Sequence, residues 1–94
     1  MIKFNGEPIL GKNFEFTIQR HRDGNRFSKH TIIAKLNNRI VYKKTFECPD
    51  PPCYDVIPLD RKFGPGRLEI SYSNTGADIS ESFTFLVRSD FLYS

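Results

Sequence analysis

Apolar and polar side chains alternate with a period of two along most of the chain. In NFEFTIQ, residues 13–19, the apolar side chains Phe14, Phe16 and Ile18 occupy every second position. This alternation is typical of a β-strand that buries one face. Apolar residues nowhere recur at helical spacing over three turns, so no helix longer than one turn is predicted. Four further stretches show the strand pattern: HTIIAKL (30–36), RIVYKKTF (39–46), RLEISYS (67–73) and SESFTFLV (80–87).

Turn-forming residues separate these stretches. The pair Asn37-Asn38 predicts a two-residue hairpin loop, because asparagine tolerates the positive φ that a type I′ turn requires. YDVIPLD, residues 54–60, is strand-like but contains Pro58. Proline lacks the backbone donor of a sheet ladder, so an edge strand or a bulge is expected there. Further turns are predicted at RDGNR (22–26), FGPG (63–66) and SNTGAD (73–78).

The pattern predicts an all-β chain of about seven short antiparallel strands at spacings near ten residues, a β-sandwich with Greek-key connections. FGPGRLEISYSNTGADISESFTFLV, residues 63–87, resembles the closing strands of early-set immunoglobulin-like domains. The resemblance lies in a glycine turn, an alternating strand, a polar turn and a last strand ending in Phe-x-Val. It implies a single immunoglobulin-like domain over residues 1–94. The Cys…Trp…Cys framework of antibody-type domains is absent, because the chain has no Trp.

Composition and charge narrow the class of protein. With nine Phe, four Tyr and a hydrophobic content of 38%, a small core of large side chains is expected. MIKFNGEPIL at the start lacks the basic and apolar regions of a secretory signal, and no apolar run is long enough to span a bilayer. Residues 1–45 carry ten Lys and Arg against three acids, a balance of +7; residues 46–94 carry four against eight, a balance of −4; together they give +3. The basic half is therefore a candidate contact for an anionic partner, and a solvated surface is the alternative.

The chain's two cysteines flank three prolines and an aspartate in CPDPPC, residues 48–53. We predict a disulfide bond between Cys48 and Cys53, because the proline-rich turn can bring them together and an even pair in a small β domain favours one. Zinc would need two more Cys or His ligands, of which His21 and His30 are the available histidines. A reactive thiol pair is disfavoured, since the neighbouring residues are acidic and the spacing is not C-x-x-C.

The most suggestive polar stretch is QRHRDGNRFSKH, residues 19–30. It becomes a long loop at one end of the sandwich, where such folds place recognition. Cations around an aromatic ring can hold a sulfate, phosphate or carboxylate group. The alternative is a solvated loop with the phenylalanine tucked beneath it. The candidate binding residues are Arg20, Arg22, Arg26, Phe27 and Lys29.

No catalytic, nucleotide-binding, metal-binding or cofactor motif occurs, so we expect no enzyme activity and no cofactor. Asp55 and Asp60 are expected to be solvated surface acids. Nucleic acid is disfavoured as a partner, because no recognition helix is predicted and the second half of the chain is acidic. The tail RSDFLYS, residues 88–94, ends with apolar side chains that pack on the domain itself or on a neighbour or second subunit.

The leading hypothesis is a non-catalytic binding, adhesion or spacer module of a secreted or surface protein, extracellular or periplasmic, with a protein or anionic glycan partner. Two alternatives remain open. NNRIVYKKTF, residues 37–46, and GRLEISYS, residues 66–73, resemble the immunoglobulin-fold accessory subunit of a periplasmic sulfur-carrier complex, which implies an enzyme-associated role. Small decoration proteins of virions and phages use similar sandwiches. None of these hypotheses involves insertion into a membrane.

Overall fold

The computed structural model describes residues 2–19, 29–48, 52–74 and 79–89. These residues are almost entirely β-structure, with one short 3-10 turn at Arg61–Phe63. The strands are β1 (Ile2–Asn5), β2 (Asn13–Ile18), β3 (Lys29–Leu36), β4 (Arg39–Glu47), β5 (Cys53–Pro58), β6 (Gly66–Asn74) and β7 (Ile79–Val87). The last six confirm the strand predictions to within a few residues. The sequence pattern does not predict β1, IKFN, because four residues are too few to show a clear alternation.

The strands form two antiparallel sheets. One sheet has the order β1-β2-β5, and the other has the order β4-β3-β6-β7. Three connections, β1 to β2, β3 to β4 and β6 to β7, join antiparallel neighbours within a sheet, whereas the chain changes sheet after β2, β4 and β5. Among the described residues no helix is long and apolar enough to cross a membrane.

One hydrophobic core lies between the two sheets. Every second residue of the central strands points into it, as the alternation predicts. Phe4 of β1 links the sheets, since its ring stacks on Phe14 at 5.2 Å between centroids and meets the edges of Phe83 and Phe85 of β7 at 5.0 and 5.2 Å. Such aromatic pairs contribute about 0.5–1.5 kcal/mol each beyond their area burial. The fully buried members include Phe14, Phe16, Ile18, Ile32, Ala34, Leu36, Ile57, Leu68, Ile70 and Tyr72.

The edge strands carry the irregularities. Pro58 lies at the end of β5, whose described partner is β2 alone, so the predicted edge position is confirmed. The alternation in β4 predicts one face for Ile40, Tyr42 and Phe46, and this is wrong for Ile40. A one-residue bulge shifts the register, so that Tyr42 pairs with Ala34 but Ile40 pairs with the exposed Lys35. Ile40 is therefore turned to the outer face, with 59% of its surface exposed.

The Asn37-Asn38 hairpin joins β3 to β4, and both residues have positive φ, 53° and 68°. This confirms the predicted type I′ turn. The Asn37 side chain also ties the hairpin to the start of β6: its amide donates to the carbonyl of Pro65 at 3.1 Å, and its Oδ1 accepts from the Arg67 N–H at 3.2 Å. A side chain at Gly66 would collide with this amide. Asn37 thus serves both the turn and the contact between hairpin and β6.

Replacing Asn37 by alanine should therefore cost more stability than the same change at Asn38. Both changes place alanine in the left-handed region, at about 1–2 kcal/mol each. Only Asn37→Ala also removes the bonds to Pro65 and Arg67, at about 1 kcal/mol per bond. Urea unfolding of the two variants and the parent measures the difference. Equal losses would show that the side-chain bonds of Asn37 contribute nothing to the free energy of unfolding.

Candidate binding end

The two ends of the sandwich differ in what joins the strands. At one end, which we call the disulfide end, Ile18 closes β2, Lys29 opens β3 and Cys53 opens β5. These termini lie together, because Ile18 pairs with Cys53, Lys29 pairs with Glu47, and the disulfide bond joins Cys48 to Cys53. At the other end, the hairpin end, the Asn37-Asn38 turn lies near the 3-10 turn. The segment 20–28 leaves β2 and enters β3 at the disulfide end.

The disulfide bond between Cys48 and Cys53 is present, as predicted, with 6.2 Å between the Cα atoms. It joins the end of β4 to the start of β5, where the chain crosses from one sheet to the other. Cys48 is buried in the hydrophobic core and Cys53 packs against it. The bond therefore lies within the core at this end and fixes the crossing between the sheets.

A buried polar pair lies beside the disulfide. His30 and Tyr72 are fully buried, and the imidazole Nδ1 lies 2.8 Å from the Tyr72 hydroxyl. The imidazole ring also stacks on Phe46, with 5.6 Å between centroids. Burial raises the pKa of the Tyr72 hydroxyl, and the charge of Glu81 adds to this, while a hydrogen bond with Asn74 opposes it. His30, the last residue of the polar stretch, thus belongs to the core, where it cannot meet a ligand in solvent.

The predicted binding residues are only partly covered by the structure. Arg20, Arg22, Arg26 and Phe27 lie outside the described residues. Lys29 is exposed at the first position of β3 and is opposite Glu47 in register. The described residues that flank these four, Gln19 and Lys29, lie at the disulfide end.

A second polar cluster joins the edge strands β4 and β5. Asp55 lies opposite the buried Phe16 and so faces inward. Its carboxylate accepts hydrogen bonds from the Tyr42 hydroxyl at 3.0 Å and from the Lys44 Nζ at 2.8 Å. The expectation that Asp55 is an ordinary solvated acid is therefore wrong, because an inward-facing carboxylate on an edge strand must find partners. Asp60, by contrast, caps the 3-10 turn by accepting from the Lys62 N–H at 3.0 Å.

The environment of Asp55 shifts two acid equilibria. Burial acts to raise the pKa of the Asp55 carboxyl, but the hydrogen bonds from Lys44, the Val56 backbone and Tyr42, together with the Lys44 charge, outweigh it and lower the pKa. The pKa of Tyr42 is raised, mainly by burial and then by the bond to the Asp55 carboxylate and its charge. The carboxylate is consequently a fixed anion that links the two sheets. It is a structural link, because its oxygens are engaged by the protein itself.

The hairpin end is also basic, which the sequence does not reveal. Cations from separate segments converge there because the strands begin and end together. Arg67 forms an exposed ion pair with Glu69 at 3.2 Å. A hollow of about 320 Å³ lies beside the 3-10 turn, lined by charged residues of both signs that include Lys12, Asp60 and Arg61. The exposed cations at this end are Lys12, Arg39, Arg61, Lys62, Arg67 and Arg88.

The described part of the chain brings together no group of three His, Cys, Asp or Glu side chains suited to a metal ion.

No known protein family, curated protein or solved structure matches this chain.

Thiol titration checks the disulfide in solution. The unreduced protein, unfolded in denaturant, should show no free thiol. Reduction should lower the free energy of unfolding by about 1–2 kcal/mol, because the closed loop is short and proline already restricts the unfolded chain. Two free thiols, or a loss near 5 kcal/mol, would contradict this interpretation.

Asp55→Asn should reduce stability by about 1–2 kcal/mol at pH 7, because it removes a charge-assisted bond whose partner Lys44 is half exposed. The folded-state pKa of Asp55 lies below the ordinary value of 3.8. Its contribution is therefore complete well above pH 3.8 and is lost as the pH falls through the lowered folded value. The stability difference between parent and variant should shrink over that acid range. Glu15→Gln, on the outer face of the same sheet, is the control, and an equal pH dependence in both variants would refute the assignment.

Proposed function

We propose that the two sheets form an immunoglobulin-like Greek-key sandwich. In such folds the strands A, B and E share one sheet, C, F and G share the other, and an added strand C′ joins the second beside C. The order β1-β2-β5 and β4-β3-β6-β7 fits this arrangement, with β4 in the place of C′ and β5 in the place of E. Supporting pairs are β2 with β5 and β3 with β6, which are distant in sequence and adjacent in space.

We further propose that the chain is a non-catalytic binding module of a secreted or surface protein that contacts an anionic partner through its disulfide end. The segment 20–28 supplies Arg20, Arg22, Arg26 and Phe27, and Lys29 follows at the start of β3. Sulfate, phosphate and carboxylate groups suit such a set of guanidinium and ammonium donors. A disulfide bond is typical of oxidising compartments, which supports a location outside the cytosol.

The observation that carries this proposal is the bracing of the end at which β2 finishes and β3 starts. At the disulfide end, the Cys48–Cys53 bond fixes one crossing between the sheets, and His30 and Tyr72 fill the core with a hydrogen-bonded, stacked pair. A loop presented from a rigid base loses less conformational entropy on binding than one presented from a loose base. The hairpin end has no disulfide among the described residues, although it carries six exposed cations against the four in residues 20–29.

Binding to heparin and to polyphosphate, measured by calorimetry across a salt series, tests the proposal. Exposed ion pairs contribute about 0–1 kcal/mol each, so affinity requires several of them and should fall steeply with salt. Replacing both Arg22 and Arg26 by serine should weaken binding about tenfold at low salt, which corresponds to two such contacts. The melting temperature should not change, since neither residue lies in a predicted strand.

Arg39→Ser with Arg67→Ser is the matched control, because it removes the same charge from the hairpin end. That variant should bind within about twofold of the parent. Equal weakening by both pairs would show that attraction depends on net charge alone. Weakening by the control pair only would place the binding surface at the hairpin end and refute the proposal.

A further inference from the structure

The four edge strands differ in how they are protected against pairing with another chain. Exposed sheet edges are usually blunted by short length, lysines, proline, bulges or inward charges. β1 is four residues long, and β5 carries Pro58 and the inward Asp55. β4 carries the bulge and the adjacent Lys43 and Lys44. β7 is nine residues long and contains no proline, lysine or bulge; its one charge, Glu81, lies opposite the buried Tyr72 and faces inward near the start of the strand.

The backbone bonds around β7 reveal which groups face its open edge. Arg67 directs its N–H and C=O toward Asn37, on the β3 side of β6. Its register partner Leu86 is therefore not bonded to it and directs its own N–H and C=O away from β6. Two residues later, Arg88 does the same and is bonded by the Pro8–Leu10 segment. By alternation, the backbone groups that face the edge belong to Ser80, Ser82, Thr84 and Leu86.

Among the described residues, the Pro8–Leu10 segment pairs with Arg88 and leaves the edge from Ser80 to Leu86 uncovered. This limits how a further strand can dock, because any new strand must end before Arg88. An antiparallel copy of β7 with its two-fold axis at Phe83 meets that limit. Ser80 then lies opposite Leu86 of the second copy, and Ser82 lies opposite Thr84.

In this register each residue whose backbone N–H and C=O face the edge in one copy lies directly opposite such a residue in the other copy. It yields about eight inter-strand hydrogen bonds, two for each directly opposed pair of this kind. The side chains are also compatible: Glu81 of one copy lies opposite Phe85 of the other, so the two carboxylates are not opposed. Leu86, 77% exposed in the single chain, gains cover from the second copy's Ser80. The other edges are poorer partners, because β1 is only four residues long, β5 contains Pro58, and β4 has the bulge and the adjacent Lys43 and Lys44.

We propose that the β7 edge is a self-association surface, through which two copies of this chain pair antiparallel about Phe83 to form one continuous eight-stranded sheet. The interface is isologous, as a two-fold dimer requires. Pairing along one nine-residue edge buries less than about 1,200 Å², so the dimer belongs to the weak, concentration-dependent class. Each copy has a net charge of +3, so moderate salt should strengthen the dimer. Anion binding shows the opposite salt dependence, which separates the two proposals.

Sedimentation equilibrium of the full chain, from about 10 μM to 1 mM, measures the association. The test variant carries Ser82→Lys and Thr84→Lys, which copies the lysine pair of β4 and places like charges directly opposite each other across the two-fold axis. It should weaken the dimer about tenfold or more. The matched control carries Ser71→Lys and Ser73→Lys on the same outer face of β6, two strand spacings from β7 of the second copy. It should change the dissociation constant less than about threefold.

Backbone hydrogen exchange of the parent protein gives a readout that does not depend on the variants folding. The amides of Ser82, Thr84 and Leu86 should exchange more slowly as concentration rises, and those of Phe83 and Phe85, bonded within the sheet, should not change. A chain shortened to residues 1–89 should still associate. A parent that stays monomeric to about 1 mM, a dimer that survives the Ser82 and Thr84 changes, or a dimer lost with residues 90–94 would overturn the proposal.

Discussion

Burial of one face of each sheet against the other is the constraint on which the rest of this structure depends. Side chains of a strand alternate between faces, so a shift of one residue would turn a whole apolar row outward. Each fully buried large apolar side chain contributes about 1.5–3 kcal/mol, so such a shift would cost far more than the stability of a small domain. The rows of β2 and β6 therefore fix the register of every neighbouring strand. Phe4 extends this packing to the short β1, which also pairs along its whole length with β2.

Polar groups enter this core only where partners are within reach. His30 lies near the end of β3, where Tyr72 supplies a hydroxyl and Phe46 an aromatic face. Asp55 faces inward at a sheet edge, where Tyr42 and Lys44 reach it from the opposite sheet. The His30–Tyr72 pair joins strands that are distant in sequence, and the Asp55 cluster joins the two sheets. These hydrogen bonds lie at the periphery of the core, where they fix the relative positions of the strands, and the middle of the core stays apolar.

The edge strands of the two sheets differ in how open they are to pairing with another chain. β1 is short, β5 contains a proline and β4 has a bulge and two adjacent lysines, whereas the long edge of β7 presents its backbone donors and acceptors in a self-complementary row. An antiparallel pair formed through β7 would direct the two disulfide ends in opposite directions. A basic segment attached to each end would then meet anionic groups on two separated surfaces, and linked sites of this kind increase avidity without new contacts. The two proposed surfaces are therefore compatible, because one is an end of the sandwich and the other is a lateral edge.

The sequence by itself determined the β class, six of the seven strands, the Asn37-Asn38 turn, the edge position of Pro58 and the pairing of the two cysteines. All of these follow from local rules: side-chain alternation, the φ preference of asparagine, the missing donor of proline and short loop closure. Only the tertiary structure decided that Ile40 is exposed, that His30 is buried and that Asp55 links the sheets. A bulge moves a side chain to the other face of the sheet and leaves the local sequence pattern unchanged. A polar side chain is buried only when other strands supply hydrogen-bond partners for it. The cations of the hairpin end and the open edge of β7 were hidden for the same reason, since both depend on which strands lie side by side.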